Sequence, residues 1–405
     1  KGGVASPEMD AAKAELAHQA AVDTVLANLV EGIRDFDDAC LQMELQNAYG
    51  LNMQTGEWSD VVAQAQALYD QVYAARTAMQ QGTAAVDDAY LKQGIDIADS
   101  YGCNNAEVQA ARALYDQIVH YKAYARDAIQ RCQRHLLEEA TAGANAIGLN
   151  SPEVQQMRQL LSLDKVAFLK KEFEAAQALR DESRMTRVAI AIKDEFFQAN
   201  GASKFALPQC PLFKSREEFS KAKMFGKKKR RDGMFEWAKE GIPGSMMRKI
   251  EQDPLMVKLC KKMAKNIQGF MGDKKLSEPL FLAQEIVNEA CANEAIRDEM
   301  YANVAKQVTQ NPNPDSATRG WQLMQICLQS FPPSSDFENY LEQFIRTNAR
   351  RTPSAEPEHF LKWFHEVIRT GVKKIKVADV ASRKRAQSAV MKSWVSTARI
   401  PTTCS

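Results

Sequence analysis

A chain of 405 residues, with 45% apolar and 26% charged residues, is ordinary for a globular protein and long enough for two or three domains. No apolar run approaches the ~18–20 residues that span a bilayer, there is no signal peptide, and the eight cysteines are scattered without a C-x-x-C pair. That pattern excludes a disulfide framework and a zinc site and fits reduced thiols in a cytosolic compartment. The net charge of +2 hides an asymmetry, since residues 1–200 carry −11 and residues 201–405 carry +13. Two modules with different partners are expected. The chain starts at Lys1 rather than a methionine, so a fragment of a longer protein is also expected.

The acidic half repeats itself. Four segments open in the same way: "SPEMDAAKAEL" at Ser6, "SDVVAQAQALY" at Ser59, "NAEVQAARALY" at Asn105 and "SPEVQQMRQLL" at Ser151. Ser and Asn satisfy free N–H groups at a helix start, and Pro7 and Pro152 stand at the first helical position, where a missing N–H costs nothing. The last three starts lie 46 residues apart, with Val62, Val108 and Val154 in one register and Leu68, Leu114 and Leu160 in another. Before three of the starts a shorter helix runs to a glycine, Gly50, Gly102 or Gly148, each suited to a left-handed cap, and about six inserted residues follow Gly50. A period of this length fits helical hairpins stacked in line, with an antiparallel bundle as the alternative. Nothing here is catalytic: His18, His120 and His135 are single histidines on helices. Residues 1–199 read as a spacer or a docking surface for a further protein partner.

A helix from about Lys165 to Gln198 leads into "NGASKFALPQCPLFKS", whose Gly and Pro residues break the periodicity, so residues 200–233 are expected to be a linker. It includes the basic run Lys227, Lys228, Lys229, Arg230 and Arg231. In the helix "PLMVKLCKKMAKNIQGFMG", Leu255, Leu259, Met263, Ile267 and Phe270 line an apolar face. Lys258, Lys261, Lys262 and Lys265 recur at spacings of three and four and form a stripe on another. Further on, Ile296, Met300, Val304 and Val308 mark a helix that Asn311-Pro312 ends, because proline disfavours helical geometry in the residue before it. Asp315 or Ser316 caps the next helix, whose core candidates are Trp321, Met324, Ile326 and Leu328. Pro332-Pro333 stops it, and Ser335 with Glu338 forms a capping box for the helix after. In "EPEHFLKWFHEVI", His359 and His365 lie near Glu358 and Glu366 without any pocket signature, which reads as an ordinary helix.

"FEWAKEGIPGSMM", "IQGFMGD", "IRDEMYANVAKQVTQNP" and "RGWQLMQICLQSFPPSSDFENYL" occur in order, and at matching spacing they resemble the myosin tail homology 4 domain of unconventional myosin tails and some kinesins. The resemblance covers residues 234–395, leaving 396–405 as a tail, and residues 1–199 have no counterpart in it. It implies an all-helical, non-enzymatic module that usually precedes a FERM domain and binds microtubules through basic surfaces or cargo jointly with that domain. No G-x-x-x-x-G-K-[ST] loop is present, so ATP hydrolysis is not expected.

The fold class is therefore all-α, an array or bundle of helical hairpins followed by the tail-homology domain. The function expected is cytoskeletal, cytoplasmic and non-catalytic, with no cofactor, no metal and no nucleic acid. Microtubule contacts are expected at the stripe, and secondarily at the basic run 227–231 and at Lys373, Lys374 and Lys376. A scaffold subunit of a microtubule-based assembly such as a cilium is the alternative.

Overall fold

A computed structural model describes residues 7–35, 37–220, 233–276, 278–349 and 357–377. Among them all regular structure is helical, and an isolated antiparallel bridge joins Phe213 to Met247. The chain divides into two compact units, Lys1–Ala175 and Ala176–Ser405. The charge asymmetry survives this division unchanged, at −11 and +13.

The first unit alternates long and short helices: α1 (Pro7–Asp35), α2 (Asp38–Gly50), α3 (Ser59–Ala85), α4 (Asp88–Ser100), α5 (Ala106–Arg131), α6 (Arg134–Ala146), α7 (Pro152–Leu161) and α8 (Lys165–Ala178), the last of which runs across the division. Each long helix folds back into its short partner through a turn of about two residues, in which Val86 and Cys132 take the left-handed conformation at φ 53° and 48°. Asp37 and Asp87 then start α2 and α4, accepting from the N–H of Cys40 at 3.0 Å and of Ala89 at 2.8 Å. Contacts join each helix from α1 to α7 to its neighbours in sequence and link α1 to α3, α3 to α5 and α5 to α7, so the hairpins stack in line. The repeat register lies in the core. Val62, Val108 and Val154 are buried, each contributing roughly 1.5–3 kcal/mol, whereas Leu68, Leu114 and Leu160 are only half-buried.

Two of the caps differ from expectation. Gly50 is helical, and Asn52 takes the left-handed position instead at φ 55°, matching Gly102 at 68° and Gly148 at 74°. Asparagine tolerates that region through local hydrogen bonding of its short polar side chain. The equivalence is fixed by a backbone bond common to all three repeats: Met53 N–H to Ala48 O at 3.0 Å, Cys103 to Ala98 at 2.9 Å and Leu149 to Ala144 at 2.9 Å. The first repeat therefore carries its insertion after Met53, as a single turn over Gly56–Trp58. That turn makes Trp58 the residue before α3, and Ser59 becomes its first residue rather than its cap. Asn105 and Ser151 do cap, accepting from Val108 N–H at 3.0 Å and Val154 N–H at 3.4 Å.

The second unit contains α9 (Glu182–Asn200), α10 (Arg216–Ser220), α11 (Pro254–Met271), α12 (Pro279–Ala292), α13 (Arg297–Val308), α14 (Pro314–Leu328), α15 (Ser335–Asn348) and α16 (Pro357–Thr370). The expected helix over 165–198 is two helices. Left-handed Arg180 at φ 54° separates them, and Asp181 caps α9. Helix α9 packs on α16 and reaches α15, where Lys193 meets Asn339 at 2.7 Å and Glu338 at 2.9 Å. The stretch expected as a linker is folded over residues 202–220, with Leu207, Cys210, Phe213 and Phe219 in the same core as α11–α16. Glycine and proline break helices there without freeing the chain.

The residues of the four quoted motifs are joints between distant segments. Glu299 is fully buried, and its carboxylate accepts from Met246 N–H at 2.8 and 2.9 Å, Met247 N–H at 2.8 Å and Asn303 at 3.0 Å. Burial nevertheless pushes its pKa up. Lys306, also buried, donates to Gly233 O at 2.7 Å and to Glu236 O, and desolvation brings it down to about 8. Tyr301 donates to Phe331 O at 2.5 Å. Trp237 Nε1 donates to Asp273 at 3.0 Å, beside Gly272, whose φ of 83° ends α11 under the Arg319 guanidinium. Trp321 is 3% exposed, stacked on Phe344 at 5.8 Å and edge-on to Phe360 at 5.3 Å. Its neighbours Met324, Ile326 and Leu328 are buried, as expected for a core helix.

The caps of this unit also differ. Asn313, not Asp315 or Ser316, starts α14, accepting from both of their N–H groups at 3.0 and 3.3 Å. Ser334, not Ser335, precedes α15, and no capping box forms. The Ser334 hydroxyl instead donates to Asp298 at 2.6 Å and its N–H does so at 2.8 Å. Leu255 does not join the apolar face of α11 and is 74% exposed, because it lies in the first turn, ahead of the helix's buried stretch.

Candidate functional site

The chemistry of α11 comes from its two-sidedness. Asp253 caps it, accepting from Leu255 N–H at 2.8 Å, and Pro254 occupies the first position. Cys260, Met263, Ala264, Ile267 and Phe270 then fasten one side into the core. The opposite side presents Lys258, Lys262 and Lys265 exposed and Lys261 half-buried. The four are not equivalent. Lys262 is bound by Glu285 of α12, which also accepts from Asn266 at 2.6 Å; the ion pair raises the pKa of the lysine and lowers that of the glutamate. Lys258, Lys261 and Lys265 have no carboxylate partner among the described residues.

The loops add cations that helical spacing does not reveal. Lys274, just after the Met-Gly-Asp turn, has its pKa lowered first by desolvation and then by repulsion from Lys265. Lys275 beside it is exposed. On the other flank Lys214, paired with Glu251, is lowered by desolvation, and Lys261 adds repulsion. Its backbone is fixed by a bond to Met246 O at 2.9 Å. Lys261 and Lys214 thus act on each other's charge, as do Lys265 and Lys274, which extends the stripe at both edges. A doubled lysine after a helix-ending glycine was the sequence signal available for Lys274 and Lys275.

Of the remaining expected residues, Lys373, Lys374 and Lys376 lie in one segment after the last described helix. Lys373 is paired with Glu366 at 2.9 Å. It belongs to an extended segment, 371–377, that α12 holds through Gln284, which donates to Ile375 O at 3.1 Å and accepts from Val377 N–H at 2.8 Å. Lys374 and Lys376 of that segment are exposed. Lys227, Lys228, Lys229, Arg230 and Arg231 lie outside the described residues.

Among the described residues no cluster of three or more His, Cys, Asp or Glu side chains is arranged to hold a metal, and no helix is long and apolar enough to cross a membrane. His365 is buried against Glu342 at 3.1 Å, and Arg346 holds the same carboxylate at 2.7 Å and 3.0 Å; His359 stacks on Trp363 at 6.0 Å. Seven of the cysteines are free thiols, five of them buried.

The second unit is all-helical among the described residues, is joined by these motif residues and presents a basic helix face. Residues 283–388 match the MyTH4 domain family, and the chain carries a MyTH4 domain. The high molecular weight form of myosin-1 from Acanthamoeba castellanii is 34% identical over 352 residues, which is 87% of this chain and 22% of that protein. This alignment takes in much of the helical array, so the array has a counterpart outside the MyTH4 family model itself. The kinesin-like protein KIN-14E of Arabidopsis thaliana is 29% identical over 135 residues, 31% of this chain and 10% of that protein. Human unconventional myosin-XVB is 30% identical over 128 residues, 31% of this chain and 4% of that protein. The chain thus spans about a fifth or less of these relatives. Among solved structures, the C-terminal MyTH4-FERM domain of human Myosin 7b, in complex with a harmonin-a PDZ3 domain, aligns at 28% identity. That alignment covers 34% of this chain and 29% of the other, with a TM-score of 0.32.

Proposed function

We propose that this chain is a non-catalytic, cytoskeleton-associated part of a motor tail whose MyTH4 unit binds microtubules through the basic face of α11. The observation that carries the reading is the grouping of Lys258, Lys261 and Lys265, none with a carboxylate partner among the described residues, with Lys274, whose charge Lys265 opposes and Glu240 favours. Like charges held side by side repel one another, and an acidic surface relieves that repulsion while it attracts the domain at long range. Lys214 and Lys275 extend the face; Lys262, already engaged by Glu285, contributes least. The array of α1–α8 serves as an acidic spacer or dock, its −11 charge keeping it off the same partner.

Co-sedimentation with polymerised tubulin tests the reading. Binding should fall steeply between about 50 and 200 mM salt, where the screening length shrinks to about 7–14 Å. Absence of pelleting at low salt would remove microtubules as the partner.

A further inference from the structure

The lysine face is not purely polar. Of the large apolar side chains exposed in the second unit, Leu255, Leu276 and Phe281 all project from the α11–α12 hairpin, at 74%, 50% and 62% exposure. Leu255 stands three residues before Lys258 on the same stripe of α11. Phe281 stands one turn before Glu285, the residue that ties α12 to Lys262 and Asn266. Helical spacing thus puts Phe281 on the side of α12 that turns toward the lysines. Leu276 follows Lys274 and Lys275 in the connecting loop and packs beside Gly269 and Leu282. From Leu255 to Lys265 the helix rises about 15 Å, so a field of lysines is bracketed at both ends by apolar side chains. Attraction to an acidic protein surface gives these three side chains no role.

We propose that this face docks on an anionic lipid surface. Lys258, Lys261, Lys265, Lys274 and Lys275 meet the headgroup phosphates, and Leu255, Leu276 and Phe281 enter the interfacial layer. The chemistry favours a bilayer over a protein partner. The three apolar groups project at separate points around the cations, and a fluid interface accepts them at any spacing, whereas a protein would need pockets matched to each. Basic clusters near apolar anchors bind anionic leaflets through both terms together. Three carboxylates of the hairpin are engaged by neighbours, Glu285 by Lys262 and Asn266, Asp273 by the Trp237 indole and Glu289 by Asn293 at 3.3 Å, while Glu278 accepts from the N–H of Phe281 at 3.1 Å and is exposed. This partner is additional to microtubules and stands on the apolar groups, which the charge-driven reading does not use.

Vesicle flotation with the whole 405-residue chain tests it. The chain should float with phosphatidylserine–phosphatidylcholine vesicles and not with pure phosphatidylcholine. The double variant Leu276→Ser/Phe281→Ser should lose binding to the anionic vesicles by about tenfold or more, since burying one such side chain is worth at least that factor. The same variant should keep wild-type helical circular dichroism and wild-type microtubule pelleting. A second variant, Lys258→Gln/Lys261→Gln/Lys265→Gln, should lose both partners. No preference for the anionic vesicles, or unchanged affinity in the Leu276→Ser/Phe281→Ser protein, overturns the proposal without touching the microtubule reading.

Discussion

The two units hold themselves together by different means. In the array the core is almost entirely apolar, built from Val, Leu, Ala and Met; Glu44 and Ser151 are its buried polar residues among those described, and both are satisfied locally. In the second unit, carboxylates, an ammonium, amides and hydroxyls are buried as well, and their partners are remote in sequence: Glu299 to Met246, Lys306 to Gly233, Tyr301 to Phe331. A stack of hairpins adds stability neighbour by neighbour, whereas a web of long-range joints fails as one body. The first construction suits a spacer that tolerates change, and the second suits a surface whose lysines must keep fixed positions.

The largest effects should come from the joints. Glu299→Ala leaves the Met246 and Met247 N–H groups without an acceptor and should cost about 3–5 kcal/mol, since removing one member of a buried charged network strands the others. Trp321→Ala should cost about 3–5 kcal/mol through loss of its stacking against Phe344 and Phe360. In both cases hydrogen exchange should accelerate throughout α11–α16. Acceleration confined to the mutated helix would remove the contrast with the array.

Gly94→Ala probes the other side of the comparison. A Cβ there would lie 2.6 Å from Ala75 O and close upon Met79, so α3 and α4 must separate. Overpacking of this kind costs about 1–3 kcal/mol, and the faster exchange should stop at the adjoining hairpins. A single sharp loss of the entire array would show that it is not additive.

Lys306 sharpens the comparison through pH. Its folded pKa of about 8 lies below the ordinary 10.5. Between those values the unfolded chain binds more protons, so the stability of the second unit rises with pH across that window. The gain is on the order of 1–3 kcal/mol, seen in denaturant melts of the wild type and missing in Lys306→Met. A slope of the opposite sign, or one retained in the variant, would contradict the buried-ammonium account. Glu299 has the opposite sense, at acid pH: its raised pKa lets the folded state take up the proton first, so stability rises as pH falls through that value toward 4.5. Glu342, lowered by His365 and Arg346 against the effect of burial, loses its contribution as pH falls from 4.5 through its depressed value.

Much of this was legible because repeats and motifs are local patterns. The 46-residue spacing and the Val62–Val108–Val154 register translate directly into stacked hairpins, and Trp321 between its proline stops is core. The failures share a cause. Gly50 resembles a cap, but the bond from Met53 to Ala48 places the left-handed residue two positions later. Residues 202–220 carry linker residues, yet remote apolar partners bury them. Lys262 resembles its three neighbours, and Glu285 on another helix distinguishes it. Glu299 and Lys306 look like solvated charges because their partners lie 53 and 73 residues away. In each case the deciding contact lies beyond the window in which periodicity operates.

The smallest effect on stability should accompany the largest effect on binding, and that pairing tests the central claim. Lys258→Glu/Lys261→Glu/Lys265→Glu changes two exposed lysines and the half-buried Lys261 of α11, outside the core, and single exposed substitutions move stability by only about ±0.5 kcal/mol. Lys262→Glu serves as the comparison, because that side chain is already occupied by Glu285. Measured by co-sedimentation with microtubules at low salt, the triple variant should lose most binding while keeping its melting transition, and Lys262→Glu should lose far less. A triple variant that pellets like the wild type would contradict the assignment of this face.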